Sequence, residues 1–169
     1  SAEAATLFEH CARAIDARRD VGVHGLPLIG AGDWNDGMSQ VGADGRGESV
    51  WLGWFLCRVV ADFAPLAEAR GETRRATRWQ TAARGWRQAL AGRAWDGQWY
   101  ARAFFDDGSA LGTQSSAECR IDLIAQAWSV LSEVAPPDRQ RQAMASAERL
   151  LFDPEWQLLR LLDPPLAQH

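Results

Sequence analysis

Two long amphipathic segments, at residues 48–69 and 72–93, constrain the fold of this chain more than any other feature of its sequence. In both segments, apolar residues recur at the spacing of three and four that places them on one face of an α-helix. Little more than Gly71 separates the two, and glycine commonly ends a helix. Helices joined by so short a connection pack as antiparallel neighbours, so the sequence predicts a helical hairpin.

The rest of the chain is also mostly helical in pattern. Three more segments have helical periodicity: residues 3–19, 121–134 and 137–151. Residues 95–112 change to an alternating pattern with a strong Asp107-Gly108 turn signal, which predicts a small β-hairpin. The tail at residues 153–169 is short, apolar and interrupted by prolines. The predicted fold class is therefore all-α with one small β-hairpin, and its helical hairpins can be arranged around a ring as in an αα-toroid.

Composition and charge exclude several classes of function. The formal net charge of −4 over 169 residues argues against a nucleic-acid groove, which needs a dense basic face. All 18 basic residues are arginine, and the absence of lysine excludes P-loop and Schiff-base chemistry. No apolar run approaches the roughly 20 residues that cross a bilayer, and there is no signal-peptide pattern, so no membrane segment is expected.

The cysteines and tryptophans give further information about the kind of protein and its core. The cysteines, Cys11, Cys57 and Cys119, are far apart and form no C-x-x-C motif, which predicts neither a disulfide framework nor a metal site and fits a reducing compartment. The nine tryptophans are unusual. Most are expected in the core, because indole is the largest apolar side chain. Alternatively, some line a cleft for sugar rings, and composition alone does not decide between the two.

The glycine-rich loop at residues 21–47 carries the strongest functional signal. Between Gly30 and Met38 it reads G-A-G-D-W-N-D-G-M, with two carboxylates, an amide and an indole within four residues. One interpretation is a turn-rich connector whose aspartate and asparagine side chains cap local backbone groups. A calcium loop fails on spacing, because Met38 and Asp44 stand where the EF-hand pattern requires glycine and glutamate.

The same loop also suits a carbohydrate site. A tryptophan beside a carboxylate offers a stacking platform and a proton donor for a glycosidic oxygen. An aspartic acid with this role must stay protonated near neutral pH, which requires partial desolvation or a neighbouring charge such as Asp33. An inverting hydrolase also needs a carboxylate base about 6.5–9.5 Å away. An inverting phosphorylase needs only the acid, because phosphate is the nucleophile.

The stretch H-G-L-P-L-I-G-A-G-D-W-N-D-G-M-S-Q-V-G-A-D-G-R-G-E-S-V-W-L-G-W-F-L, at residues 24–56, resembles glycoside hydrolase family 94. That family includes cellobiose and chitobiose phosphorylases, and the similarity is closer still to the C-terminal domain of cyclic β-1,2-glucan synthases. The resemblance continues through residues 7–15, 94–112 and 117–132. D-W-N-D-G followed by G-E-S-V-W-L is a specific combination.

The resemblance implies an (α/α)6 barrel and assigns roles within the loop. Asp36, the last residue of D-W-N-D, is implied to be the general acid. Trp34 is implied to contact sugar, and Asp33 and Asn35 to shape the loop or bind hydroxyl groups.

Two residues outside the loop are also implied to bind substrate. Glu48 opens the next predicted helix, where it is either a favourable first-turn charge or a partner of the loop. Gln126 follows Glu118, Arg120 and Asp122, which alternatively form a salt-bridged surface. In the disaccharide phosphorylases a glutamate precedes this glutamine, and its absence here favours the β-1,2-glucan branch.

The family pattern continues beyond the end of this chain. Residues 1–169 are therefore expected to be a fragment of one catalytic barrel domain without its C-terminal phosphate-binding part, and inactive in isolation. None of the three histidines matches the family's phosphate motif, and His24 is expected to be structural. A partial barrel leaves apolar helix faces uncovered, which predicts self-association.

In the intact protein, the resemblance implies cleavage of β-1,2-glucan by phosphate with inversion, giving glucose 1-phosphate. The implied partners are a β-glucan oligosaccharide and inorganic phosphate as co-substrate, with no cofactor and no nucleic acid. The implied location is the cytoplasmic side of a bacterial inner membrane. The alternatives are a non-catalytic carbohydrate-binding or structural helical domain, and an inverting helical-barrel hydrolase.

Overall fold

The computed structural model describes residues 4–30, 32–33 and 36–167, without the side chain of Asp36. The described helices are α1 (Leu7–Asp16), α2 (Val50–Ala69), α3 (Thr73–Gly92), α4 (Leu123–Leu131) and α5 (Pro137–Leu151). The strands, each of two residues, are β1 (Glu48–Ser49), β2 (Ala103–Phe104), β3 (Ala110–Leu111), β4 (Ile121–Asp122), β5 (Phe152–Asp153), β6 (Leu158–Leu159) and β7 (Leu162–Asp163). The chain is thus helical with small antiparallel sheets, and the predicted helical class is confirmed.

Helices α2 and α3 form the predicted antiparallel hairpin. The Ser49 hydroxyl caps the start of α2 by accepting a hydrogen bond from the backbone N–H of Leu52 at 3.3 Å. After α2 the chain reverses at Gly71, whose φ of 80° is readily adopted only without a Cβ atom. Trp54 from α2 packs into the same buried core as Trp79 and Trp86 from α3. Tryptophans of both helices therefore contribute to the core that the two helices share.

Helix α2 is also apolar enough to cross a membrane by length and composition, with a mean hydropathy of 1.4. The sequence expectation that no such run exists is therefore wrong for residues 50–69. In the structure α2 packs against both α3 and α4, and its buried positions belong to the core. This packing buries 44% of the apolar window of α2.

The β-hairpin predicted within residues 95–112 is confirmed. Strands β2 and β3 pair with Ala103 opposite Leu111, and the reversal uses Gly108 at a φ of 85°. Strand β1 adds to the other side of β2, giving the order β1-β2-β3. The sheet therefore brings the start of α2 beside the hairpin.

Several element boundaries differ from those predicted. Helix α1 begins after Thr6, whose hydroxyl accepts a hydrogen bond from the Glu9 N–H at 3.2 Å, so it is shorter than residues 3–19. Helix α4 begins after its cap, Asp122, and ends at Leu131, so it is shorter than residues 121–134. The tail was not predicted as strand, yet β7 pairs with β4 and β5 pairs with β6. Pairing with β4, far away along the chain, is invisible to local pattern.

Candidate active site

The D-W-N-D loop is anchored at the first residue of its motif, Asp33. The Asp33 carboxylate accepts a hydrogen bond from the Trp51 indole N–H at 2.8 Å and another from Nη2 of Arg102 at 2.6 Å. Only 2% of the Asp33 side chain is exposed, and the Arg102 side chain is fully buried. A buried, charge-assisted pair of this kind holds the backbone firmly.

The loop is anchored again just after its motif. A 3₁₀ turn at Asp36–Met38 delivers the Met38 side chain into a small core formed with Ile29, Val41 and Leu111. Gly37, next to Met38, is exposed. The loop therefore has one buried side chain at Asp33 and another at Met38.

The central residues of the motif lie between the two anchors, Asp33 and Met38. Trp34 and Asn35 lie outside the described residues, as does the side chain of Asp36. Asp36 comes three positions after Asp33, and an extended chain covers at most about 3.6 Å per residue. The Cα atom of Asp36 is therefore within about 11 Å of that of Asp33.

Glu48 lies in β1 rather than in the first turn of α2, which contains no acidic residue. The first-turn-charge interpretation is therefore wrong. Its buried carboxylate accepts hydrogen bonds from the backbone N–H groups of His24 at 3.1 Å and Leu26 at 2.9 Å. Oε2 also lies 2.5 Å from Nδ1 of His24. A Cβ atom at Gly22 would lie 2.5 Å from the Glu48 carboxyl carbon, so only glycine fits there. Glu48 thus organises the first part of the loop.

His24 has a structural position, as expected. Its ring stacks on Phe104 of β2 with the centroids 4.0 Å apart. Together with the contact to Glu48, this stacking ties the first part of the loop to the three-stranded sheet.

A buried ion cluster joins the loop to α4. Arg102 contacts Asp33 on one side, and its Nε lies 3.2 Å from Oδ2 of Asp122 on the other. Asp122 caps α4 through a 2.8 Å hydrogen bond from the Ile124 N–H. Burial raises the pKa of Asp122, while the positive charge of Arg102 acts in the opposite direction. Because Asp122 is fully buried, the salt-bridged-surface interpretation is wrong for this residue.

The Gln126 side chain forms hydrogen bonds with backbone groups of two separate segments. Its side-chain oxygen accepts a hydrogen bond from the Tyr100 N–H at 2.9 Å, and its nitrogen donates to the carbonyl oxygens of Tyr100 at 2.8 Å and Asp122 at 3.0 Å. The side chain is fully buried and its hydrogen-bonding groups are engaged by backbone. The Gln126 side chain therefore joins the backbone of the segment before β2 to α4.

Sequence reasoning missed Arg102 and Trp51. Arg102 is the one charged residue between Trp99 and Phe105, and a charge within an apolar strand needs a buried partner. The sequence therefore indicated that Arg102 has a buried partner, but it did not indicate that the partner is Asp33. Trp51 is half-buried and packs against Phe55 and Trp128, with ring centroids 5.6 Å and 6.1 Å away. Nothing in its spacing distinguishes it from the core tryptophans.

The residues that hold the loop are buried, whereas Gly32 and Gly37 on either side of the central motif are exposed. Within the described part of the chain, no group of three or more His, Cys, Asp or Glu residues is arranged to hold a metal ion.

Comparison with known proteins gives the family. The profile of the glycosyl hydrolase 94 superfamily, catalytic domain, matches residues 1–169. Cyclic beta-(1,2)-glucan synthase NdvB of Rhizobium meliloti (strain 1021) is 46% identical over 165 residues, which cover 97% of this chain and 6% of that protein. The 3-O-beta-D-glucopyranosyl-beta-D-glucuronide phosphorylase of Paenibacillus borealis is 36% identical over 170 residues, covering 99% of this chain and 22% of that protein.

A solved structure supports the fold. The GH78 family rhamnosidase of Bacillus sp. GL1 matches with a TM-score of 0.57 and 21% identity, covering 88% of this chain and 15% of that one. The chain thus spans less than a quarter of the length of each of these three relatives. The resemblance inferred from D-W-N-D-G is confirmed by a profile that covers the whole chain, and the protein belongs to the glycosyl hydrolase 94 superfamily, to whose catalytic domain its sequence corresponds.

Proposed function

We propose that this chain is part of an (α/α)6-barrel phosphorylase domain that cleaves β-1,2-glucan with phosphate, within a cyclic β-1,2-glucan synthase. The observation that carries the proposal is the D-W-N-D loop, held by buried Asp33 on one side and buried Met38 on the other. A loop with this anchoring keeps a general acid in place without a metal ion or cofactor.

In the proposed reaction, Asp36 donates its proton to the glycosidic oxygen while a phosphate oxygen attacks the anomeric carbon from the opposite face. The bond from the anomeric carbon to the glycosidic oxygen breaks as the bond to phosphate forms. The products are α-glucose 1-phosphate and a glucan shortened by one unit. Trp34 stacks on a sugar ring, and Asn35 binds a hydroxyl group.

Asp33 is assigned to shaping the loop. Both of its carboxylate oxygens already accept hydrogen bonds, one from Trp51 and the other from Arg102. A sugar hydroxyl would have to compete with a buried guanidinium for them. Glu48 and Gln126 likewise engage the chain's own backbone, so we assign them to supporting the site.

The names of the relatives favour phosphorolysis of a β-1,2-glucan over the other candidates. One is named as a cyclic β-1,2-glucan synthase and the other as a phosphorylase. We also propose that the protein acts at the cytoplasmic face of a bacterial inner membrane, with glucan and phosphate as its small-molecule partners.

The test is to incubate a purified protein containing this chain with sophoro-oligosaccharides, with and without phosphate, and to assay glucose 1-phosphate. Product that requires phosphate supports the proposal. Glucose released without phosphate would select the hydrolase instead. Saturable binding without any product would select a non-catalytic carbohydrate-binding domain.

A further inference from the structure

We propose that Arg102 is the positioning residue of the site, fixing the D-W-N-D loop through Asp33 and thereby placing Asp36. This inference rests on the proposed function for the role of Asp36. Its structural part, that Arg102 holds the loop, stands on the described contacts alone.

Arg102 is itself rigidly held. Its N–H donates to the carbonyl oxygen of Leu111 at 2.8 Å, and its carbonyl oxygen accepts from the Val50 N–H at 3.2 Å. A Cβ atom at Gly112 would lie 2.5 Å from the Arg102 nitrogen, so this close packing requires glycine. The Arg102 backbone is therefore clamped between the hairpin and the start of α2.

The guanidinium connects three separate parts of the fold. Nη2 lies 2.6 Å from Oδ1 of Asp33 in the loop, and Nε lies 3.2 Å from Oδ2 of Asp122 at the start of α4. Nη1 lies 3.5 Å from the hydroxyl of Ser49, which caps α2. Lysine carries its charge at a single point and lacks the planar fork that reaches two carboxylates at once.

Charge balance makes the contact with Asp33 depend on Arg102. Among the residues that the structure describes, the buried carboxylates of Asp33 and Asp122 both pair with the guanidinium of Arg102. Without that guanidinium, two carboxylates would face each other with little access to water, which strongly disfavours both being ionised in place. Asp33 is the carboxylate that can move more easily, because Asp122 is held in place as the N-cap of α4. Loss of Arg102 is therefore expected to release Asp33 toward solvent and to carry Asp36 with it.

The first test follows the loop directly by hydrogen–deuterium exchange of a peptide spanning residues 30–41, in a purified protein containing this chain. We expect Arg102→Met to speed exchange in this peptide severalfold, and Arg102→Lys to do so less. Arg75→Met is the matched control, because Arg75 pairs with the carboxylates Glu9, Asp16 and Glu72 away from the loop. It should leave exchange in this peptide unchanged.

Asp33→Asn keeps the test decisive if Arg102→Met does not fold. It removes the loop's charge but leaves Arg102 and Asp122 as a balanced pair, so the fold is expected to survive. Faster exchange at residues 30–41 in Asp33→Asn or Arg102→Lys supports the inference. Exchange unchanged in both of these folded variants would overturn it.

The second test measures catalysis. A misplaced acid lowers kcat on the natural glucan by about 10- to 100-fold in Arg102→Lys, with little change in KM. An aryl β-glucoside with a 2,4-dinitrophenyl leaving group needs little protonation and should recover most of that rate, whereas general damage to the fold would slow both substrates alike. Absence of phosphorolysis in the unmodified protein would contradict the proposed function and leave the exchange result standing. Phosphorolysis with an unchanged kcat in Arg102→Lys would overturn the positioning role.

Discussion

At the scale of single residues, the contacts of Asp33 give it a structural role at the start of the D-W-N-D motif. Asp33 is buried and carries two hydrogen bonds from distant parts of the chain, from Trp51 and Arg102. Asp36 opens the 3₁₀ turn between the two anchors of the loop. Asp33 is therefore suited to holding the loop, and Asp36 keeps the role of general acid that we propose for it.

Replacing Asp36 with asparagine keeps its size and removes the transferable proton. Phosphorolysis of β-1,2-glucan is expected to fall by about 10²–10⁴-fold, measured as the rate of glucose 1-phosphate formation. Asp33→Asn is the matched control and should reduce the rate less. Greater loss in Asp33→Asn than in Asp36→Asn would reverse the assignment within D-W-N-D.

Glu48→Gln tests the carboxylate that organises the first part of the loop. The amide retains one acceptor oxygen but loses the charge that strengthens the bonds from the His24 and Leu26 N–H groups. We expect a loss of about 1.5–3 kcal/mol in the free energy of unfolding, measured by urea denaturation. Glu155→Gln, at an exposed position, should change it little. Equal effects of the two substitutions would show that Glu48 does not support the loop.

At the scale of elements, glycine is required in the hairpin turn but is not required inside helix α3. Gly108 has a φ of 85° in the turn between β2 and β3, where a side chain is strained. Gly85 lies inside α3 with open space around the position of a Cβ atom. The same substitution is therefore expected to have opposite effects on stability at the two sites.

Gly108→Ala should lower the free energy of unfolding by about 1–2 kcal/mol, because alanine is strained in the left-handed region. Gly85→Ala should raise it by about 0.5–1 kcal/mol, because alanine is the better helix former. Both changes are measured as shifts in the urea midpoint. Two shifts of the same sign would contradict the turn geometry or the helix assignment.

At the scale of the whole molecule, the described core combines alanine and aliphatic residues with the large indoles of Trp54, Trp79, Trp86 and Trp99, and two of the three thiols are buried. Burial raises the pKa of Cys57 to about 11 and that of Cys119 to about 12. Cys11 is only half-buried. Thiol reactivity therefore reports whether the core is intact.

With iodoacetamide at pH 8, Cys11 is expected to react first, and Cys57 and Cys119 only when the chain unfolds. The reason is that the thiolate is the reactive form and lies far below 1% of a thiol whose pKa is about 11. Mass spectrometry of labelled peptides, with and without denaturant, makes the measurement. Labelling of Cys57 as fast as Cys11 in the native state would contradict a closed core.

The chain is also expected to self-associate through exposed apolar residues near its C-terminus. Trp156 is 71% exposed, and Leu158 and Leu159 of β6 are close to half exposed. Apolar side chains grouped in this way favour contact with another surface. Light scattering should show a mass above that of the monomer, reduced by the paired change Trp156→Ser and Leu159→Ser. A monomer at all concentrations would refute this expectation.

The sequence by itself determined those features of this protein that depend on residues close together in the chain. The bounds of α5, the reversal after α2 and the Asp107-Gly108 turn follow from periodicity, glycine and proline, which act over a few positions. The D-W-N-D-G motif located the candidate site by resemblance. Each of these signals lies within a short stretch of chain, so no tertiary contact was needed to read it.

Only the tertiary structure decided which side chains hold the site. Arg102 and Asp33 are 69 residues apart, and Glu48 binds backbone groups more than 20 residues before it. Glu48 stands outside α2 because β2 pairs with it, and Gln126 is buried because Tyr100 lies against it. The physical reason is that a buried polar group must find a partner, and which partner it finds is set by packing between elements distant in the sequence.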